Sequence, residues 1–77
     1  MYSKNSFILD LENSIAEGFA VDKISKVAFE IYQNRGLEIS DSMDRILLTL
    51  MAMTEGEEFQ LTENEFLDLI SELRRDP

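Results

Sequence analysis

The stretch DKISKVAFEIYQNRG, residues 22–36, decides the fold. Its apolar side chains recur at the spacing of one side of an α-helix, i, i+3, i+4, i+7 and i+8. They are Ile24, Val27, Ala28, Ile31 and Tyr32. Asp22 can cap the N-terminus of this helix and Gly36 can end it. The pattern therefore predicts a helix over residues 22–35 with one buried side.

The sequence on either side of this stretch predicts two more helices. Residues 6–17 carry apolar side chains four positions apart, and Gly18 follows as a stop signal that favours a positive φ. Residues 41–55 are apolar around most of the predicted helix, with Leu48 outside the main stripe. A helix that is apolar on nearly all sides is usually a central one, so we expect this helix to be the most buried.

A fourth helix is predicted over residues 63–75. It begins with a capping box, in which the Thr62 hydroxyl and the Glu65 carboxylate each accept a hydrogen bond from the other residue's backbone N–H. We expect the triplet 59–61 to pack on the core as an extended staple ahead of this cap. The short connections favour antiparallel neighbours. The sequence predicts an all-α, four-helix, bundle-like domain over residues 1–77.

Charge is distributed unevenly along the chain. The 77 residues include 16 acids and 7 bases, which gives a net charge of −9. No base occurs between residues 55 and 72, where the acids are Glu55, Glu57, Glu58, Glu63, Glu65, Asp68 and Glu72. Nucleic acids and anionic membranes require clustered Lys and Arg, so we expect neither as a partner.

The sequence also lacks the usual signals for membrane insertion and export. No apolar run approaches the roughly 18 residues that a membrane-spanning helix needs. The first residues lack the apolar segment of a secretory signal. We expect a cytoplasmic protein, either a monomer or a homodimer.

Several kinds of chemistry are missing from the composition. The chain has no His and no Cys, so it has neither the commonest general base nor the commonest soft metal ligand. A Ser–His–Asp or Cys–His nucleophilic site cannot be built. The three glycines are too far apart for a phosphate-binding loop, and no stretch has the ligand spacing of an EF-hand. We expect a non-enzymatic protein without a metal site or a cofactor.

The candidate binding residues are acids near the end of the chain. Glu65, Asp68 and Glu72 recur at i, i+3 and i+7, away from the apolar stripe of the last helix. Like charges at such spacings cost a few tenths of a kcal/mol per pair, so a partner with basic groups would explain them. Solubility is the alternative explanation. Glu57 and Glu58 extend the same acidic region.

Some apolar residues lie off the predicted stripes. Phe29 on the second helix and Leu67 on the fourth are the clearest, and Tyr2 precedes the first helix. Each is either a satellite of the core or an apolar anchor for a partner.

Two stretches resemble the colicin D-like group of bacterial immunity proteins, small acidic inhibitors of nuclease toxins. EGFAVD, residues 17–22, with the helix that follows, is similar to their turn and second helix. FQLTENEF, residues 59–66, is similar to the lead-in to their last helix. The resemblance implies an all-α protein that neutralises a basic partner, such as a toxin, by covering its cationic active site.

A third stretch, DSMD at residues 41–44, resembles the prosthetic-group motif of acyl carrier proteins. That resemblance implies an alternative function in which Ser42 carries phosphopantetheine. The family places a long loop and a Gly before the motif, and both are missing here. Asp41 and Ser42 would otherwise serve as an N-cap pair. A self-associating helical module is a further alternative.

Overall fold

The computed structural model describes residues 2–75. They form four α-helices, α1 (Lys4–Asn13), α2 (Val21–Arg35), α3 (Asp41–Met51) and α4 (Glu63–Arg75). Two short 3-10 turns, Ala52–Thr54 and Glu57–Phe59, lie between α3 and α4. No strand occurs within the described residues. The prediction of an all-α, four-helix fold is confirmed. Met1, Asp76 and Pro77, which belong to the predicted 1–77 domain, lie outside the described residues.

One apolar core connects all four helices. Its fully buried large side chains are Phe7, Leu11, Ile24, Leu47, Leu50, Met53 and Phe66. α2 packs most extensively on α3, and α4 packs against α1. Arg74 on α4 also donates a hydrogen bond to the Glu12 carboxylate on α1. The Cα radius of gyration is 11.5 Å, which equals the roughly 11.5 Å expected for a compact chain of this length.

α1 begins and ends earlier than predicted. Ser3 is its N-cap, because the Ser3 hydroxyl accepts a hydrogen bond from the Ser6 N–H at 3.1 Å. The regular helix ends at Asn13, and turns continue to Glu17. Gly18 then takes φ 129°, the positive φ that the stop signal predicts and that glycine adopts at little cost.

The buried side of α2 differs from the predicted stripe. Tyr32 is 39% exposed, whereas Ser25 is buried. The Ser25 hydroxyl donates to the carbonyl oxygen of Met51 at 3.2 Å, so its polar group has a partner. The prediction that Asp22 caps α2 is wrong, because the extended residue Ala20 is the N-cap and no side chain bonds there. Asp22 lies in the first turn instead, where its charge complements the helix dipole.

α3 has one buried side, so the expectation that it is the most enclosed helix is wrong. Leu48 is 50% exposed. The Ser40 hydroxyl caps this helix by accepting from the Met43 N–H at 3.2 Å. The helix ends at Met51 rather than at residue 55, because the chain tightens into the 3-10 turn Ala52–Thr54.

The predicted start of α4 is confirmed. The Glu65 N–H donates to the Thr62 hydroxyl at 3.2 Å, and the Thr62 N–H donates to the Glu65 carboxylate at 2.9 Å. Leu61 packs against the core next to the cap, and Phe66 is fully buried. Phe59 is 49% exposed at the end of a 3-10 turn. The prediction that Phe59 packs on the core is therefore wrong.

Candidate functional site

The predicted acidic binding residues lie on two consecutive elements. Glu57 and Glu58 are on the second 3-10 turn, and Glu65, Asp68 and Glu72 are on α4. All five side chains are exposed. Apart from Glu65, they form no hydrogen bond or ion pair with any residue in the range 2–75. We call Glu57, Glu58, Asp68 and Glu72 the acidic surface.

Three of the seven bases of the chain form ion pairs away from the acidic surface. Ion pairs within the described range join Lys23 to Glu17, Arg35 to Glu38 and Arg74 to Glu12. The acceptors of these pairs all lie before residue 39. None of these ion pairs includes a residue of the acidic surface, so they do not neutralise its negative charge.

Glu65 has a structural role within α4. Its carboxylate accepts the hydrogen bond from the Thr62 N–H that completes the capping box. A carboxylate in this position stabilises its own helix. Binding of a partner's cation to Glu65 would therefore compete with the cap, and the other four acids are better placed for recognition.

Leu67 lies on a different flank of α4 from these acids. It is 43% exposed. Because successive helical residues are rotated by about 100°, Leu67 lies about 100° from Asp68 and about 140° from Glu72. The structure therefore does not place Leu67 at the centre of the acidic surface as an apolar anchor.

Phe29 lies in an open groove between α2 and α3, with a volume of about 840 Å³. The side chain of Phe29 is 53% exposed. The groove is lined by Asp22, Ser25, Lys26, Phe29, Glu30, Leu48, Met51, Ala52, Thr54 and Glu55. No residue of α4 lines it. We call it the α2–α3 groove, and it separates Phe29 from the acids with which the sequence grouped it.

Leu48 and Ser25 are the groove residues that sequence reasoning missed. Ser25 lies outside the apolar stripe predicted for α2, yet it is buried between the two helices and bonded to the Met51 carbonyl. Leu48 lies outside the main stripe of α3 and is half exposed. The available signal was the pair of large apolar residues, Phe29 and Leu48, that lie off the stripes of consecutive helices.

Tyr2 belongs to the core rather than to a binding surface. It is buried, and its ring packs edge-to-face on Phe7 with the centroids 6.3 Å apart. The Tyr2 hydroxyl donates to the Asp10 carboxylate at 2.6 Å. Burial and this hydrogen bond raise the pKa of Tyr2 well above its ordinary range. The Arg35 guanidinium lies 5.4 Å from the ring centroid.

Glu38 connects the same segment to the turn between α2 and α3. Its carboxylate accepts from the Tyr2 N–H at 3.0 Å and from the Arg35 guanidinium at 3.3 Å. The Arg35 hydrogen bond, followed by the Tyr2 N–H, lowers the pKa of the Glu38 carboxyl. These contacts hold the chain ahead of α1 against the α2–α3 connection, which is a structural function.

Ser42 is exposed in the first turn of α3. The N-cap is Ser40, so the interpretation of Asp41 and Ser42 as the N-cap pair is wrong. Only the short connection 36–40 precedes the helix. Whether Ser42 is modified stays a prediction.

Within residues 2–75, no group of three or more acidic side chains is arranged to hold a metal ion. None of the helices formed by these residues is long and apolar enough to cross a membrane. Comparisons with models of known protein families, with curated proteins and with solved structures found no match.

Proposed function

We propose that this chain is a non-enzymatic binding protein that neutralises a basic protein partner by charge pairing. The partner is most concretely a toxin, in the manner of an immunity protein, and the complex forms in the cytoplasm. The observation that carries the proposal is the acidic surface. Its carboxylates, on Glu57, Glu58, Asp68 and Glu72, are exposed and form no ion pair with the bases of residues 2–75.

The mechanism is electrostatic. A concentration of one sign of charge raises the rate at which an oppositely charged partner arrives, by about 10- to 1,000-fold at low salt. On α4, Asp68 and Glu72 repel one another at the i, i+4 spacing. A partner's Lys or Arg side chain placed between them relieves this repulsion and is itself neutralised. Pairing of this kind would cover a cationic active site without any reaction by the chain.

The first experiment identifies a partner and measures its association. The chain is immobilised, native cell extract is passed over it at low salt, and the captured proteins are identified. For a captured basic protein, the association rate is then measured by stopped flow against ionic strength. We expect the rate to fall steeply as the Debye length contracts to about 8 Å at physiological salt. A rate that is indifferent to salt would remove the mechanism.

Matched variants locate the surface that does the steering. Asp68→Asn with Glu72→Gln, and separately Glu57→Gln with Glu58→Gln, should each slow association. The control, Glu17→Gln with Asp41→Asn, removes the same charge from two exposed positions outside the acidic surface. Equal slowing by all three double variants would show that net charge alone matters, and would contradict a defined binding surface.

A further inference from the structure

The α2–α3 groove is a second surface that the proposed function leaves unused. Phe29 and Leu48, each about half exposed, line it together with Met51 and Ala52. Its volume of about 840 Å³ is within the roughly 300–1,000 Å³ of known binding pockets. Methionine adapts its shape to different partners, so Met51 suits a surface that accommodates an incoming side chain.

The charges at the rim of the groove select the sign of its occupant. Asp22, Glu30 and Glu55 line it against a single base, Lys26. None of these four residues forms an ion pair with another part of the described chain. Asp22 and Glu30 lie on one helix, about 12 Å apart along its axis. The rim therefore presents separated negative charges on either side of an apolar centre.

We propose that the α2–α3 groove binds a short basic segment of another protein, with one large apolar side chain against Phe29 and Leu48. The segment's Lys or Arg side chains pair with the acids at the rim, and Lys26 disfavours a segment of the wrong register. The basic character of the partner rests on the proposed function, but the surface is a different one. The groove supplies apolar anchoring at a surface separate from the acidic one.

A second copy of this chain is a poor occupant of the same groove. Each copy carries a net charge of −9, so two copies repel one another at low salt. The three acids at the rim would meet a predominantly acidic neighbour. Charge complementarity instead favours a cationic segment.

The experiment uses a designed peptide as the probe. The peptide has about 12 residues, or roughly 18 Å as a helix, with one Trp between Lys residues at helical spacing. A control peptide carries Ser in place of the Trp. The full chain is titrated with each peptide at low salt and followed by NMR of its amide and methyl groups. We expect the methyl signals of Leu48 and Met51 to shift with the Trp peptide.

Affinity measurements on variants complete the test. We expect Phe29→Ala to weaken binding of the Trp peptide by about tenfold or more. Leu67→Ala is the matched control, because Leu67 is similarly exposed but lies outside the groove, and it should change the affinity by less than about twofold. The Ser peptide should bind the unaltered chain as weakly as the Trp peptide binds Phe29→Ala.

Each outcome separates this proposal from the proposed function. NMR shifts confined to α4 and to residues 57–59 would overturn the proposal that the groove binds the peptide, and they would support binding at the acidic surface. Shifts confined to the groove would support it and count against steering by α4. Groove signals that depend on protein concentration without peptide would identify a second copy as the occupant and overturn the proposal. Equal affinity for the Trp and Ser peptides would overturn it as well.

Discussion

Replacing Tyr2 by Phe removes one hydroxyl from a buried position and leaves the ring in place. The lost interaction is the 2.6 Å hydrogen bond from the Tyr2 hydroxyl to the Asp10 carboxylate. Hydrogen bonds to charged groups contribute about 1.5–3 kcal/mol, and Asp10 is only half-buried, so we expect a loss of about 1.5 kcal/mol at neutral pH. For a domain of this size that corresponds to a fall in Tm of roughly 6–12 °C.

The same hydroxyl makes the unaltered protein less stable as the pH becomes alkaline. The folded state holds the Tyr2 pKa above its ordinary value of 10.0. Above that pH the unfolded chain releases the phenolic proton while the folded chain keeps it, so the free energy of unfolding falls as pH rises. The contribution of this one group to stability therefore diminishes progressively as pH rises above 10.0.

The two effects predict that the stability curves converge at alkaline pH. Tyr2→Phe should be less stable than the unaltered protein at neutral pH, and the difference should narrow as pH rises above about 10. Urea unfolding followed by far-UV circular dichroism, repeated across the pH series, measures both curves. Tyr32→Phe is the control, because Tyr32 is partly exposed and its hydroxyl forms no hydrogen bond within residues 2–75. It also retains the contribution of Tyr2 at high pH.

The comparison between variants isolates Tyr2 from the other groups, which are the same in every protein of the series. Parallel stability curves for the unaltered protein and Tyr2→Phe would refute the reasoning. Such a result would mean that the Tyr2 hydroxyl is equally able to ionise in the folded and unfolded states. A Tyr32→Phe curve that converges on that of the unaltered protein in the same way would also refute it, because the effect would then not be specific to Tyr2.

Three further substitutions and one modification assay test other parts of the structure. Thr62→Ala should lower the free energy of urea unfolding by about 1 kcal/mol, because it removes the hydroxyl that accepts the hydrogen bond from the Glu65 N–H. No change would mean that water replaces this hydroxyl. Gly18→Ala should lower the same quantity by about 1–2 kcal/mol through backbone strain at φ 129°, since no atom lies within 4 Å of the added Cβ; a neutral variant would contradict the positive φ. Ser25→Ala should lower it by about 1 kcal/mol by leaving the Met51 carbonyl one donor short, and full stability would show that bond to be dispensable. Incubation with a phosphopantetheinyl transferase should leave the intact mass unchanged, and a mass gain abolished by Ser42→Ala would establish the carrier function instead.

Local signals in the sequence were sufficient to predict the helices. The capping box depends on Thr62 and Glu65, three positions apart, and the turn at Gly18 depends on one backbone conformation. Neither requires knowledge of the rest of the fold. Local signals do not decide which side of α2 is buried, since Ser25 and Tyr32 both fit a helical stripe. The choice of Ser25 depends on the Met51 carbonyl at the end of another helix.

The candidate site was predictable only in part, for the same reason. The helical period placed Asp68 and Glu72 away from the buried side chains, and both are exposed. The helical period does not determine which helices pack against one another. Phe29 therefore could not be assigned to a groove with Leu48, or separated from α4, before the packing of α2 on α3 was known.

The position of α4 in the chain has a consequence during protein synthesis. Its buried residues, Phe66, Ile70 and Leu73, complete a core whose other members all precede residue 54. As the polypeptide leaves the ribosome, α1 to α3 emerge first, and the apolar side of α1 that packs against α4 stays uncovered. A nascent chain arrested in this interval offers chaperones and proteases an apolar helix surface. Cellular abundance should therefore respond sharply to premature termination before α4, even where the first three helices are intact.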